Sequence, residues 1–355
     1  MKKVIKRICI AVGIIAAVVL AYVLYVVLSY SRIADHQTLT PETGGTVQEL
    51  AAGQEYTVVT QNCGFGAYTP DFTFFMDGGT ESWAKSKESA VQCIDAAAEE
   101  ALSFQPDFVL FQEVDTDSTR SYHIDQASQL KSHFADMSSV FAVNYHSAFL
   151  MYPFTQPHGA SNSGLLTVSR ADITSAERRS LEISMGFSKF LDLDRCYSVS
   201  RIPVDNGKEL VLYNVHLSAY GGSDAIRTSQ MTQLLSDMQA EYEAGNYCVC
   251  GGDFNHDFTG DSTQTLNGGS QKEFGWAMPF PDDLLPDGIL KCTQYDDENL
   301  IPTCRNCDVP YGPECMIFVI DGFLVSKNVT VRELHNVDAG FVYSDHNPVV
   351  MTFSL

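Results

Sequence analysis

The chain has 355 residues, 45% of them hydrophobic, enough apolar side chain for one large or two small packed domains, which excludes disorder along its whole length. It carries 44 acidic against 22 basic residues, a formal net charge of −22, so its surface repels long polyanions on average. That weighs against nucleic acid as the main substrate, although a bound divalent cation can invert the local potential at a site.

Lys2, Lys3, Lys6 and Arg7 are followed by a run from Ile8 to Tyr30 with no charged residue. As a helix this run is long enough to cross a hydrocarbon layer of about 30 Å. It exceeds the apolar stretch of about 7–15 residues of a cleavable signal peptide and passes into Leu28-Ser29-Tyr30-Ser31-Arg32 rather than a small-x-small site. An uncleaved transmembrane anchor over 8–30 is expected, with a cleaved signal as the alternative. The basic flank places residues 1–7 in the cytoplasm and everything after Ser31 outside it, giving a single-pass protein of the cell membrane. Residues 31–55, rich in Thr, Gly, Gln and Glu, read as a tether, and 56–355 as the catalytic domain.

Along that domain, Tyr56 to Asn62 is β-rich and ends in Gln61-Asn62. An aromatic-rich loop from Gly64 to Trp83 follows, either folded back under itself or forming an apolar rim for a lipid or an aromatic leaving group. Lys85 to Phe104 has helical periodicity without proline. Phe108 to Phe111 reads as a buried strand and ends in Gln112-Glu113-Val114-Asp115, with Arg120 and Asp125 shortly after. Asp125 to Met137 is a shorter helix candidate. Glu209 to Val215 is a strand that carries Asn214-Val215-His216-Leu217, Ala225 to Ala244 a helix, and Tyr247 to Cys250 a strand that ends in Gly251-Gly252-Asp253-Phe254-Asn255. Thr259 to Gly288 is a Gly, Asp and Pro rich region outside a minimal core. Of ten cysteines, nine lie beyond the anchor's Cys9 and face a compartment where disulfides persist, so structural disulfides are expected with at least one thiol left over. Free thiols, or zinc at Cys304-x-x-Cys307 beside Cys292 and Cys315, are the alternatives.

Each polar cluster falls at a strand end, where a short loop holds a side chain and exposes its tip. Taken singly, Glu113 reads as a surface acid, Gly252-Asp253-Phe254-Asn255 as a turn, and His216 as a satisfied structural residue. Their joint order, completed by Ile320-Asp321-Gly322-Phe323-Leu324-Val325-Ser326 and Ser344-Asp345-His346, supplies what phosphate ester cleavage needs. Those needs are a water-orienting group, a cation site, donors for phosphoryl oxygens and a proton carrier.

With Thr60-Gln61-Asn62, Pro106 to Asp115, and Gly164-Leu165-Leu166-Thr167-Val168-Ser169-Arg170, these motifs resemble the endonuclease/exonuclease/phosphatase superfamily, the deoxyribonuclease-I-like hydrolases, over Tyr56 to Leu355. The resemblance implies an α/β fold, the four-layer α/β/β/α sandwich, after one N-terminal transmembrane helix. It implies that Glu113 holds Mg2+ (or Mn2+), with Asn62 beside it ordering the metal's water or the neighbouring carboxylate, and Asp345 as a further metal or hydrogen-bonding group. Asp253 would orient or deprotonate the attacking water, Asn255 donate to the phosphoryl oxygens, and His346, oriented by Asp321, contact the phosphate or carry a proton. His216 would be a second phosphate contact and candidate acid, while Asn214, Arg120 and Asn162 are expected as substrate contacts. The usual glycine-Asn arrangement near Asn162 is altered here to Ser161-Asn162-Ser163-Gly164. The expected activity is Mg-dependent phosphodiester hydrolysis, of a phospholipid head group or small phosphoester outside the membrane. A surface nuclease and a non-catalytic binding protein with the same fold are the alternatives, and no protein partner is inferred.

Overall fold

The computed structural model describes residues 1–190, 192–219, 223–269, 276–293 and 300–355. Helix α1 (Lys2–Ser29) carries most of its apolar side chains exposed, Val26 being buried, and is long and apolar enough to cross a membrane. The strands that follow are β1 (Gln37–Leu39), β2 (Glu55–Asn62), β3 (Phe108–Asp115), β4 (Ser138–His146), β5 (Asn162–Ser169), β6 (Ser175–Ser180), β7 (Cys196–Pro203), β8 (Glu209–His216) and β9 (Tyr247–Asp253). Beyond these lie β10 (His256–Asp257), β11 (Met278–Pro279), β12 (Ile289–Lys291), β13 (Cys304–Arg305), β14 (Ile317–Phe318), β15 (Asp321–Ser326), β16 (Thr330–Asn336) and β17 (Val349–Ser354). Helices α2 (Lys87–Ser103), α3 (Gln126–His133) and α4 (Asp224–Glu243) cover the two main sheets.

One sheet runs β16-β17-β2-β3-β5-β4 and the other β1-β6-β7-β8-β9-β15-β12. Val58, Phe108, Leu110 and Met351 of the first sheet pack against Leu210, Leu212, Val249 and Phe323 of the second in one buried cluster. On the outer faces, α2 and α3 bury Ile94, Ala97 and Leu130 against the first sheet, and α4 buries Met231, Leu234 and Met238 against the second. The result is the four-layer α/β/β/α sandwich. The three helices start within two residues of their expected positions because each has a side-chain cap. Ser86, Asp125 and Ser223 accept from the backbone N–H of Ser89, Ser128 and Ile226.

Each sheet contains a parallel pair joined by a helical crossover, β2 to β3 through α2 and β8 to β9 through α4. Parallel strands end at the same edge, so Asn62, the Gln112-Glu113 step, His216 and Asp253 emerge together. The registers fix this: Asn62 is opposite Gln112, and His216 is opposite Asp253. Antiparallel β15 then brings Asp321 opposite Asp253.

Two expectations are corrected. The segment 31–55 is not a free tether: Gln37–Leu39 adds an edge strand to β6, and Leu50 is buried in the inter-sheet core. Isolated bridges at Glu42, Val47 and Leu50 tie the rest down, because this polar segment finds backbone partners along Ser139, Ala171 and Val204. The disulfides are not formed either. All ten cysteines are free thiols, nine of them buried, and they point into separate clusters: Cys248 and Cys250 toward α4, Cys292 between the sheets, Cys307 under the aromatic loop. That separation also keeps Cys304 and Cys307 from a shared metal.

Candidate active site

Where β3 reaches its C-terminal end, its register with β5 shifts between Phe111 and Val114, and Glu113 adopts φ 52°. A bulge with a left-handed non-glycine residue turns a side chain out of the sheet, at a backbone cost that is characteristic of functional sites. Asn255, just past β9, is likewise at φ 50°. Both residues line a cavity of about 320 Å³ at the sheet ends, together with Arg120, His216, Asp253, Asp345 and His346.

Asp253, almost fully buried, is the hub. Its Oδ2 accepts from Asn62 Nδ2 at 3.0 Å and lies 3.5 Å from His216 Nε2 and 3.8 Å from His346 Nε2, while Oδ1 accepts from the Asn255 N–H at 2.9 Å. Burial, with the carboxylates of Asp321 and Glu113 nearby, pushes its carboxyl up to about 7 against the opposing charge of His346. His346 is buried, which disfavours its charge, but Nδ1 donates to Asp321 Oδ2 at 2.8 Å and the carboxylate holds the imidazole well above its ordinary value. Asp321 is in turn fixed by its own N–H, which donates to Thr303 Oγ1 at 3.0 Å.

The loop bearing Asp345 and His346 is clasped on several sides. Gln61 Nε2 donates to the His346 carbonyl, the Arg305 N–H to that of Asp345, and Ser344 Oγ to that of Asn62, at 3.1, 3.0 and 2.7 Å. Gly64 closes the opposite side, since a Cβ there would come within 2.7 Å of Asp345 Oδ1.

Several expected contacts are placed differently. Asn62 directs Oδ1 to the Gly64 N–H at 3.0 Å and its amide nitrogen to Asp253 and, at 3.4 Å, to Glu113, so it bridges two carboxylates. Asn214 is buried between the sheets, accepting from Gln112 and donating to the carbonyls of Phe111 and Leu166, and does not reach the cavity. Asn162 is exposed at the start of β5, and its neighbour Ser163 lines the cavity instead. Burial, and then the nearby cations Arg195, His346 and Arg120, hold the His216 imidazole well below its ordinary value, while its Nε2 lies 3.5 Å from Asp253 Oδ2. Arg120 does line the cavity, held by a bidentate pair with Asp115 at 2.9 and 3.1 Å and stacked 3.8 Å over the Phe65 ring.

Sequence reasoning missed Arg195 and Arg305. Both are buried, both line the cavity, and Nε of each, with Nη1 of Arg305, has no hydrogen-bond partner. Arg195 lies just before β7 and Arg305 between Cys304 and Cys307, and neither belongs to a motif. Three buried guanidinium groups thus line the cavity beside the carboxylates of Asp77, Glu113, Asp192, Asp253 and Asp345. Part of its lining is aromatic: Phe65, Tyr68 and Phe74 fold under their own loop with Phe72 and Ala84, yet also face the cavity, so the two readings of that loop are compatible.

The donors also fit a hard divalent cation. Glu113 and Asp345 open onto the same cavity, and burial together with the Glu113 charge pushes Asp345 up to about 7, a repulsion that a cation between carboxylates relieves. Asp253, Asp321 and His346 also offer atoms within 4.8 Å of one another. Because His346 Nδ1 is already engaged by Asp321, that trio suits proton handling better than ligation.

A profile of the Endonuclease/Exonuclease/phosphatase family matches residues 59–346. Among curated protein sequences none matches this chain. Solved structures with a similar fold include ANGEL2, a 2',3'-cyclic phosphatase in complex with adenosine-2',3'-vanadate, at 13% identity and TM-score 0.55 over 89% of this chain and 98% of that one. D. rerio TDP2, complexed with single strand DNA product, is similar at 14% identity and TM-score 0.54 over 85% and 100% of the two chains. An endonuclease/exonuclease/phosphatase from Beutenbergia cavernae is similar at 15% identity and TM-score 0.50, covering 85% and 72%. At such identities the likeness establishes the fold alone. The profile, spanning nearly the whole sandwich, establishes more: this chain belongs to the endonuclease/exonuclease/phosphatase family.

Proposed function

We propose that this chain is a divalent-cation-dependent phosphodiesterase, anchored through α1 with its sandwich outside the cytoplasm, that acts on a phospholipid head group or another small phosphoester. The observation that carries the reading is the cavity itself, where an ordered carboxylate and imidazole pair, Asp321 and His346, stands against Asp253 and three buried arginines share the lining. Glu113 and Asp345 would hold Mg2+ or Mn2+, since both are hard oxygen donors and such a cation keeps several waters beside few protein ligands. When bound, it supplies charge neutralisation at the phosphoryl and leaving oxygens.

The protein's own groups would do the rest. Asp253 takes a proton from the attacking water, and its raised affinity for protons near neutrality suits that task. Charged His346 presents Nε2–H toward the phosphoryl oxygens, with Asp321 fixing tautomer and orientation. Asn255 spends one amide hydrogen on the Leu217 carbonyl at 2.9 Å and retains the other for the same oxygens. Neutral His216 is a second polar contact. Arg120, Arg195 and Arg305 bind the substrate's charge, and the Phe65, Tyr68 and Phe74 wall accepts an apolar or aromatic portion.

The deciding experiment is a release assay with the full chain in detergent, offered phospholipids, nucleotides, and single- and double-stranded DNA, with Mg2+. Release of phosphorylated head groups or cleavage of small diesters supports the reading. DNA as the preferred substrate replaces it with the nuclease.

A further inference from the structure

Among the described residues, two exposed apolar loops beside the cavity have no covering partner. In one, Met151, Tyr152 and Phe154 are 44%, 63% and 81% exposed; in the other, Met185 and Phe187 are 80% and 64% exposed. Both flank the end of α1. Tyr22 Oη donates to the Phe149 carbonyl and accepts from the Met151 N–H, each at 3.1 Å, and Tyr25 Oη accepts from the Phe149 N–H at 3.1 Å. Tyr30 meets Phe190 edge to face at 5.2 Å, and Lys189 Nζ lies 5.2 Å from the Tyr30 ring.

At 1.5 Å per residue, Tyr25 and Tyr22 lie about 7–12 Å below Tyr30 along the helix axis. A loop that pairs with them reaches the same depth. There the absence of water makes an unpaired backbone group costly, and the part of the loop next to α1 is paired: the two tyrosines serve the N–H and carbonyl of Phe149 and the N–H of Met151, and Leu150 exchanges both bonds with Gly159. Tyrosines at the end of an apolar helix, apolar loop tips and a lysine beside them match the ordering of a membrane interface. The loops also reach the cavity. Tyr152 packs on Phe75 at 5.8 Å, His158 lines the cavity behind it, and Ser188, next to Phe187, lines the other side.

We infer that the 149–154 and 185–187 loops insert into the outer leaflet of the bilayer crossed by α1, setting the mouth of the cavity against lipid. This rests on the membrane reading above and narrows the substrate class to phosphoesters presented at the leaflet surface. The test uses the full chain with Phe154→Trp or Phe187→Trp, reconstituted in phosphatidylcholine vesicles with and without brominated acyl chains; the parent, whose two tryptophans are Trp83 and Trp276, sets the background. The added fluorescence should be blue-shifted and at least halved by bromine placed near the head-group end of the chains. Emission unchanged by bromine but quenched by iodide, or blue-shifted without bromine quenching as under a protein partner, overturns the inference. Because this readout needs no turnover, its failure is distinct from failure of the phosphodiesterase reading. Tyr152→Ser combined with Phe154→Ser should then lower vesicle-substrate turnover about tenfold while leaving a water-soluble diester unaffected.

Discussion

His346 donates from Nδ1 to Asp321 Oδ2 at 2.8 Å while its Nε2 lies 3.8 Å from Asp253 Oδ2, so one carboxylate orients the imidazole and a second faces its reactive edge. This arrangement separates two titrations. Asp253 must lose its proton, near pH 7, and His346 must keep its own, so activity should rise with pH through about 7 and fall as His346 deprotonates above its ordinary range. Asp321→Asn removes the charge that outweighs burial at His346. The alkaline limb should move down by about 1–3 pH units in a kcat profile, and an unmoved limb would remove Asp321 from its orienting role.

Glu113→Gln, Asp253→Asn and His346→Ala should each lower kcat by at least about a thousandfold with retained circular dichroism. Their effects should be grossly non-additive. If the double mutant Asp253→Asn/His346→Ala loses the product of the single losses, the two residues act independently and the site has been assembled wrongly.

Asp194 ties the segment after α1 to the sandwich. It accepts from the Ile33 N–H at 2.6 Å and lies within 3.6 Å of Arg32, Arg178 and His146, and these partners outweigh burial to hold its carboxyl below the ordinary value. Asp194→Asn leaves Arg178, fully buried, without its counter-charge and should cost about 3 kcal/mol, with earlier proteolysis at residues 31–36. The sign follows from the lowered value: the contribution is present above the unfolded pKa and disappears as pH falls through the folded one. Equal thermal unfolding of parent and variant at pH 7 would contradict this role.

The buried cysteines should resist modification. Burial pushes the thiols of Cys93 and Cys196 up to about 11 and those of Cys248, Cys292 and Cys304 up to about 12. Mass spectrometry after native alkylation should therefore find Cys9 alone labelled, and turnover unchanged by either alkylation or reductant. Rapid labelling of Cys304, whose Sγ lies 3.6 Å from His346 Nε2, would show that the cavity opens more widely.

The strands and helices that carry the chemistry were legible because their apolar runs end in polar clusters, as at Phe108 to Asp115 and Tyr247 to Asn255. Polar strands were not. Ser175–Ser180 reads Ser-Ala-Glu-Arg-Arg-Ser, and Gln37–Leu39 lies in a segment without apolar periodicity; β6 is fixed by pairing with β1 and β7 and by burial of Ala176 and Arg178, and β1 by pairing with β6. Side-chain direction was equally hidden. Asn214 and His216 are two residues apart on one strand, yet Asn214 turns inward to satisfy buried carbonyls while His216 ends at the cavity. Arg195 and Arg305 carried no motif, since their importance comes from burial beside a cavity built by segments distant in sequence.

The most direct test of the whole account is turnover of a short water-soluble phosphodiester by the full chain in detergent, measured with Mg2+, after exhaustive chelation, and with Glu113→Gln. The account predicts cleavage with Mg2+, loss of activity on chelation, recovery when Mg2+ or Mn2+ is restored, and no activity in the variant under any of these conditions. Undiminished cleavage after chelation, or a fully active Glu113→Gln chain, would contradict it.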